Sequence, residues 1–175
     1  LLTNSNLPEC IRTIKANCSL PVVLFPGSAT QVDANADALL FLSLISGRNP
    51  ELLIGTHVTA APLIRDLHLE AIPTGYMLID SGRMTTALYM SNTLPIPADK
   101  NDIAVCTALA GEMLGLKMIY MDAGSGAMHT VREEMVKAVR SAINVPLIVG
   151  GGIRTPEKAQ EICSAGADLI VIGNQ

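Results

Sequence analysis

Two short aliphatic runs, each closing on glycine, constrain this chain more than any other feature. They are Leu147-Ile148-Val149-Gly150-Gly151-Gly152-Ile153-Arg154-Thr155-Pro156 and Ala167-Asp168-Leu169-Ile170-Val171-Ile172-Gly173-Asn174. Unbroken aliphatic runs of this length predict strands covered on both faces, as in parallel sheets. Glycine at the strand end lets backbone N–H groups approach an anion, and a helix starting just beyond adds positive partial charge. In a (β/α)8 barrel, the loops after the last two strands build a phosphate site of this kind. A phosphate-bearing substrate is therefore the first functional expectation.

The same alternation runs along the rest of the chain. Strands are predicted near Val22–Phe25, Ala38–Leu42, Ile72–Ile79, Lys117–Met121, Pro146–Val149 and Asp168–Ile172, with helical patterns throughout between them. Leu7, Ile11, Ile14 and Cys18 have helical spacing, as do Val131, Met135, Val139 and Ala142, which follow Thr130 and Glu133 in a capping-box pattern. Thr155-Pro156 reads as an N-cap with proline in the first turn, and Gly115 as the stop of a helix beginning near Asp99. The fold class is α/β, a (β/α)8 TIM-type barrel in which residues 1–175 form a single partial domain. Because such a barrel takes about 250 residues, the first two strands and the last helix are expected to be missing. The phosphate-binding mouth is expected at the C-terminal ends of the strands.

A net charge of −4 with no Lys or Arg run gives no electrostatic case for nucleic acid or for an anionic membrane surface. Cys10, Cys18, Cys106 and Cys163 form no CxxC pair and are expected to be small buried thiols in a reducing compartment. With no apolar run long enough to span a bilayer and no secretory signal, the chain is expected to be cytoplasmic.

A second segment carries chemistry. Tyr120 and Asp122 lie two apart on a predicted strand and so share a face at its carboxyl end. Gly124-Ser125-Gly126 follows, offering N–H groups and a hydroxyl to a bound oxygen. A carboxylate there can hold hydroxyls or accept a proton, although Asp after a strand also serves as a turn residue and Gly-Ser-Gly as a flexible turn. Bulk introduced at Gly151 is expected to weaken phosphate binding while leaving the fold intact. Tyr76, on the preceding strand, is expected to pack or to line a groove rather than react. The Tyr89–Pro97 segment either shapes a long loop or covers the mouth. His57, His68 and His129 match neither a zinc spacing nor a nucleophile triad. Arg154 either reads the phosphate or fixes its loop through a neighbouring carboxylate.

The run Tyr120-Met121-Asp122-Ala123-Gly124-Ser125-Gly126-Ala127, followed by the two glycine-ended strands, resembles the geranylgeranylglyceryl phosphate synthase family, prenyltransferases that make the first ether bond of archaeal lipids. The resemblance extends through Pro21-Val22-Val23-Leu24-Phe25-Pro26-Gly27-Ser28, Ala38-Leu39-Leu40-Phe41-Leu42-Ser43 and Tyr89-Met90-Ser91-Asn92-Thr93-Leu94-Pro95-Ile96-Pro97. It implies a barrel that joins sn-glycerol 1-phosphate to geranylgeranyl diphosphate, releasing diphosphate with help from Mg2+. Carried over residue by residue, it sets the glycerol phosphate against Tyr120, Met121, Asp122, Ala123, Gly124, Ser125 and Gly126, against Gly150, Gly151 and Gly152, and against Gly173 with Asn174. Asp122, where some members carry Glu, is the expected catalytic residue, orienting the glycerol. The family's metal-binding Asp and the Ser or Thr of its Gly-Gly-Ser or Gly-Gly-Thr segment are expected before Leu1, so no residue of this chain is assigned to the metal. A homo-oligomer is expected, with peripheral membrane contact through the lipid substrate. Two other readings stay open: a phosphosugar isomerase or lyase on the same barrel, and a noncatalytic phosphate-binding module.

Overall fold

In the computed structural model, which describes residues 6–173, six strands form one parallel sheet in sequential order. They are β1 (Val23–Leu24), β2 (Ala38–Leu44), β3 (Glu70–Leu78), β4 (Met118–Asp122), β5 (Leu147–Gly150) and β6 (Leu169–Val171). Sequential parallel order with helical crossovers on one face is the wall of a TIM-type barrel. Among the described residues, β1 and β6 each have one strand neighbour. The helices are α1 (Leu7–Asn17), α2 (Thr56–Asp66), α3 (Thr86–Ser91), α4 (Asn101–Met113), α5 (Glu133–Ala142) and α6 (Pro156–Ser164), with a π-helical turn at Glu51–Gly55 leading into α2.

Period-two alternation divides the side chains between two cores. Outward residues Met77, Ile79, Ile119, Met121, Leu147 and Val149 pack beneath the helices against Ala104, Ala108, Met135, Val139 and Ile162. Small residues on the buried face of α4, Ala104, Ala108 and Gly111, bring that helix close to the sheet. Inward residues Leu40, Tyr120 and Ile148 meet Leu42, Ile72, Tyr76, Met118 and Val171. Those inward positions lead up to the mouth.

The caps show where local chemistry decides. Thr155 accepts from Lys158 N, with Pro156 in the first turn of α6 as expected. Gly115 follows α4 with φ +90°. The capping box expected at Thr130 and Glu133 does not form: α5 starts after Arg132, without a side-chain cap. Thr130 Oγ1 is instead buried with no hydrogen-bond partner. The chain before α5 is held by contacts to the next loop, which override the local signal.

Two further expectations are corrected. The alternation of strands with helices fails between β1 and β2, where residues 25–37 cross in irregular conformation. That segment satisfies its backbone through turns, such as Gln31 N to Ser28 O and Ala36 N to Asp33 O, and through side chains: Gly27 N donates to Gln31 Oε1 and Asn35 N to Asp33 Oδ1. Val32 and Ala36 from the crossover, with α1 and α2, cover Leu24 and Leu39 in place of a helix. The four cysteines are all exposed rather than buried. Cys10 on α1, Cys106 on α4 and Cys163 on α6 fall on the solvent side and Cys18 follows α1 in extended backbone, so a small apolar residue within a helical pattern did not mark the core.

Candidate functional site

Tyr120 and Asp122 leave β4 on the inward face as the period-two reading requires, and parallel register sets Tyr76 beside Tyr120 and Gly150 beside Asp122. The absence of a side chain at Gly150 is what admits the tyrosine: a Cβ there would stand 2.5 Å from Tyr120 Oη. Asp122 is 6% exposed and Tyr120 1%. A carboxylate so deeply placed needs donors, and it has two. Gly124 N donates to Oδ1 at 2.7 Å, and Tyr76 Oη donates to Oδ2.

These surroundings set the ionisation of the group. Burial pushes the Asp122 carboxyl above its usual range, opposed by the hydrogen bonds from Tyr76 and Gly124. Burial also drives the Tyr76 and Tyr120 phenols well above the ordinary tyrosine value, and the charge of Asp122 adds to both shifts. Both tyrosines therefore stay protonated at neutral pH, and Tyr76 serves as a donor to the carboxylate. Three rings close this corner: Tyr76 meets Tyr120 edge-on at 5.3 Å, and Phe25 lies 5.9 Å from Tyr76 and 5.2 Å from Tyr120.

The glycine loops after β4 and β5 interlock. Gly151 has φ +82°, and a Cβ there would stand 2.6 Å from Gly124 N, 2.8 Å from Asp122 Oδ1 and 2.9 Å from the Ala123 carbonyl carbon. Bulk at Gly151 would therefore press on backbone in a conformation that L-residues avoid, which corrects the expectation that such a change spares the fold. Gly152, with φ +73°, lies against the backbone of His129 and Thr130. Arg154 Nη2 donates to Ala127 O at 2.9 Å, tying the loop after β5 to the turn after β4. Of the two roles open to Arg154, this bond shows the loop-fixing one, made through a carbonyl.

The structure thus brings together Tyr120, Asp122, Gly124, Gly150, Gly151 and Gly152. Met121 and Ala123 alternate to the outward face and pack in the main core. Ser125 and Gly126 are exposed on the turn. Gly173 follows β6 and is exposed, while Asn174 lies outside the described residues. Sequence reasoning gave Tyr76 no part in the polar site and passed over Thr85. Thr85 caps α3 through Leu88 N and stands against Gly124, where a Cβ would meet its Oγ1 at 2.6 Å. No pattern of spacing marks either residue, because Tyr76 reaches the site across strand register and Thr85 through loop packing.

The segment 89–97 is a loop only in part: its first three residues close α3, and the remainder folds back as a wall. Ile96 bridges to Ile79 in parallel, with Asp80 N donating to Ile96 O at 2.8 Å and Ile96 N to Leu78 O at 2.9 Å. With the loop after β2 it borders a cavity of about 550 Å3 whose lining includes Arg48, Asn49, Asn92 and Pro95. Tyr89 and Leu94 stand exposed on this segment. Among the described residues, no three His, Cys, Asp or Glu side chains gather where they could hold a metal ion.

The profile of the PcrB family matches residues 2–175. A geranylgeranylglyceryl phosphate synthase of Chitinophaga pinensis is 59% identical over 174 residues, covering 99% of this chain and 69% of that protein. The protein of the same name from Pyrococcus furiosus is 46% identical over 167 residues, covering 95% of this chain and 66% of its own length. Among solved structures, (S)-3-O-geranylgeranylglyceryl phosphate synthase from Thermoplasma acidophilum, in complex with its substrate sn-glycerol-1-phosphate, superposes with a TM-score of 0.91. That pair is 38% identical, and the match covers 99% of this chain and 69% of the other.

Proposed function

Because the chain belongs to the PcrB family, we propose that it acts as a prenyltransferase, joining sn-glycerol 1-phosphate to a prenyl diphosphate. The names of its relatives support geranylgeranyl diphosphate as the donor. The observation that carries the reading is the buried Asp122, held by two donors against the Gly150–Gly152 corner, in a fold matching a relative that holds sn-glycerol 1-phosphate.

A glycerol hydroxyl attacks the allylic carbon, the bond from that carbon to the diphosphate oxygen breaks, and diphosphate leaves with the electron pair. The hydroxyl proton passes to Asp122 or to water. Asp122 acts first by orienting the glycerol, because a hydroxyl held in line with the allylic carbon removes much of the entropic barrier. Gly124, Ser125 and Gly126, with Gly150–Gly152, Gly173 and Asn174, are proposed to hold the phosphate through backbone N–H groups. Burial of Asp122 and the aromatic corner supports water exclusion where positive charge develops.

A requirement for Mg2+ belongs to the proposal. The described residues do not gather a ligand set for it, so none is assigned to the ion and no step is routed through it. The proposal extends to a cytoplasmic homo-oligomer that meets membranes through its lipid substrate; no helix among the described residues is long and apolar enough to cross one. The deciding experiment supplies the full-length protein with both substrates and Mg2+ and looks for the prenyl ether by mass spectrometry, with EDTA as the control. Binding of sn-glycerol 1-phosphate without any ether product would defeat the transferase reading and favour a phosphate-binding module.

A further inference from the structure

We propose that Tyr76 is a positioning residue for Asp122, keeping its carboxylate ionised and fixed in the direction in which it receives the glycerol. This rests on the prenyltransfer reading above. Tyr76 lies on β3 opposite Tyr120, two residues before Asp122 on the same inward face, so its hydroxyl crosses one strand spacing to reach Oδ2. Gly124 N occupies one acceptor position on Oδ1. An ionised carboxylate offers about four lone-pair positions, so one on each oxygen is left for hydroxyls of a bound polyol. Vicinal hydroxyls, as in glycerol phosphate, fit two acceptors in that arrangement.

The ring itself is locked. It stands at 75° to Tyr120 and at 62° to Phe25, with centroids 5.3 and 5.9 Å away. The hydroxyl is therefore delivered by a side chain with little freedom to turn. The ionisable groups acting on Asp122 are Tyr76 from β3 and Tyr120 from its own strand. From β5, Asp122 faces the backbone of Gly150 and Gly151. With no cation among these groups, the burden of keeping a buried carboxylate charged falls on the two donors.

The test replaces Tyr76 by Phe in the full-length protein, which keeps the ring and removes the donor. Loss of a hydrogen bond to a charged group predicts a roughly ten-fold drop in kcat/KM for sn-glycerol 1-phosphate. The acid limb of the kcat profile should move up by about one pH unit, since the charged form of Asp122 loses its support. Titration calorimetry of sn-glycerol 1-phosphate closes a cycle with Asp122→Asn. In the Asp122→Asn background, Tyr76→Phe should change the affinity less than two-fold, because its action passes through the carboxylate. If Tyr76→Phe folds poorly, fluorotyrosine introduced at position 76 gives the opposite perturbation: a more acidic donor should move the limb to lower pH. An unmoved limb, or an equal loss of affinity with and without the carboxylate, overturns the proposal while leaving the transferase reading intact. A parent protein that makes no ether product overturns both.

Discussion

Substituting Gly151 by Ala is expected to cost far more stability than the same change at Gly115, although both glycines have similar positive φ, +82° and +90°. The backbone penalty is common to the two sites. A left-handed L-residue costs about 1–2 kcal/mol, offset by about 0.4–1 kcal/mol from the reduced freedom of the unfolded chain. At Gly115 nothing lies within 4 Å of the added Cβ, so the backbone penalty is the whole effect. At Gly151 the methyl would stand 2.6 Å from Gly124 N and 2.9 Å from the Ala123 carbonyl carbon, atoms that no rotamer change can move aside. Overpacking of that kind adds about 1–3 kcal/mol. In a domain of this size each kcal/mol moves the melting temperature by about 2–4 °C. Gly115→Ala should therefore lower it by at most about 6 °C, and Gly151→Ala by roughly 2–12 °C more than that. Paired thermal melts and urea titrations under identical conditions decide the matter. Equal losses at the two positions would refute the close backbone approach between the loops after β4 and β5.

Thr155→Ala removes the acceptor that caps α6 and should cost about 1 kcal/mol, read as a melting shift of about 2–4 °C with Thr155→Ser restoring most of it. His57, 6% exposed with Nδ1 lacking a partner, is held below its ordinary pKa of 6.5 by burial. The unfolded chain then binds the proton more readily, so stability should fall as pH drops through about 6.5. His57→Gln should flatten that limb in pH-dependent denaturation, and an unchanged slope would count against the assignment. Asp122 has the opposite sign: its raised pKa means the folded state holds the proton more tightly, so ionising it costs stability as pH rises from the unfolded value through the folded one. Asp122→Asn should remove that pH dependence and lose most of the turnover.

Much of the fold was legible because parallel strands leave continuous aliphatic runs, and all six were found within a few residues of their limits, although the cover expected on both faces is incomplete at β1 and β6, where Val23 and Leu169 are exposed. The crossover at residues 25–37 was not, since its cover comes from Val32 and Ala36 in an irregular path that has no period to detect. The capping box at Thr130 failed for a related reason. Its local signal competes with the approach of Gly152 to residues 129 and 130, a contact between segments far apart in sequence. In the site, residues sharing one strand or one turn were legible, as with Tyr120, Asp122 and Gly124. Tyr76 and Thr85 enter only through register and loop packing, which single-chain periodicity does not encode.

That division has a chemical consequence. The legible residues are acceptors and backbone donors able to meet a phosphate and a polyol, and alone they describe any phosphate-binding barrel. What makes Asp122 a particular acceptor comes from its neighbours: burial raises its pKa, Tyr76 and Gly124 oppose the rise, and Gly150 leaves room for Tyr120 beside it. An exposed carboxylate at the same strand end would be ionised without assistance, but it would be solvated and free to turn. A buried carboxylate without donors would be directed but neutral. The corner between β3, β4 and β5 meets this conflict with two donors, which oppose the rise that burial causes and hold the carboxylate in one direction. Its selectivity for a hydroxyl-bearing phosphate over simple phosphate should therefore depend on the Tyr76 hydroxyl. Competition binding should show Tyr76→Phe weakening sn-glycerol 1-phosphate more than inorganic phosphate, whereas equal weakening of the two would mean that the tyrosine serves the phosphate loops and not the carboxylate.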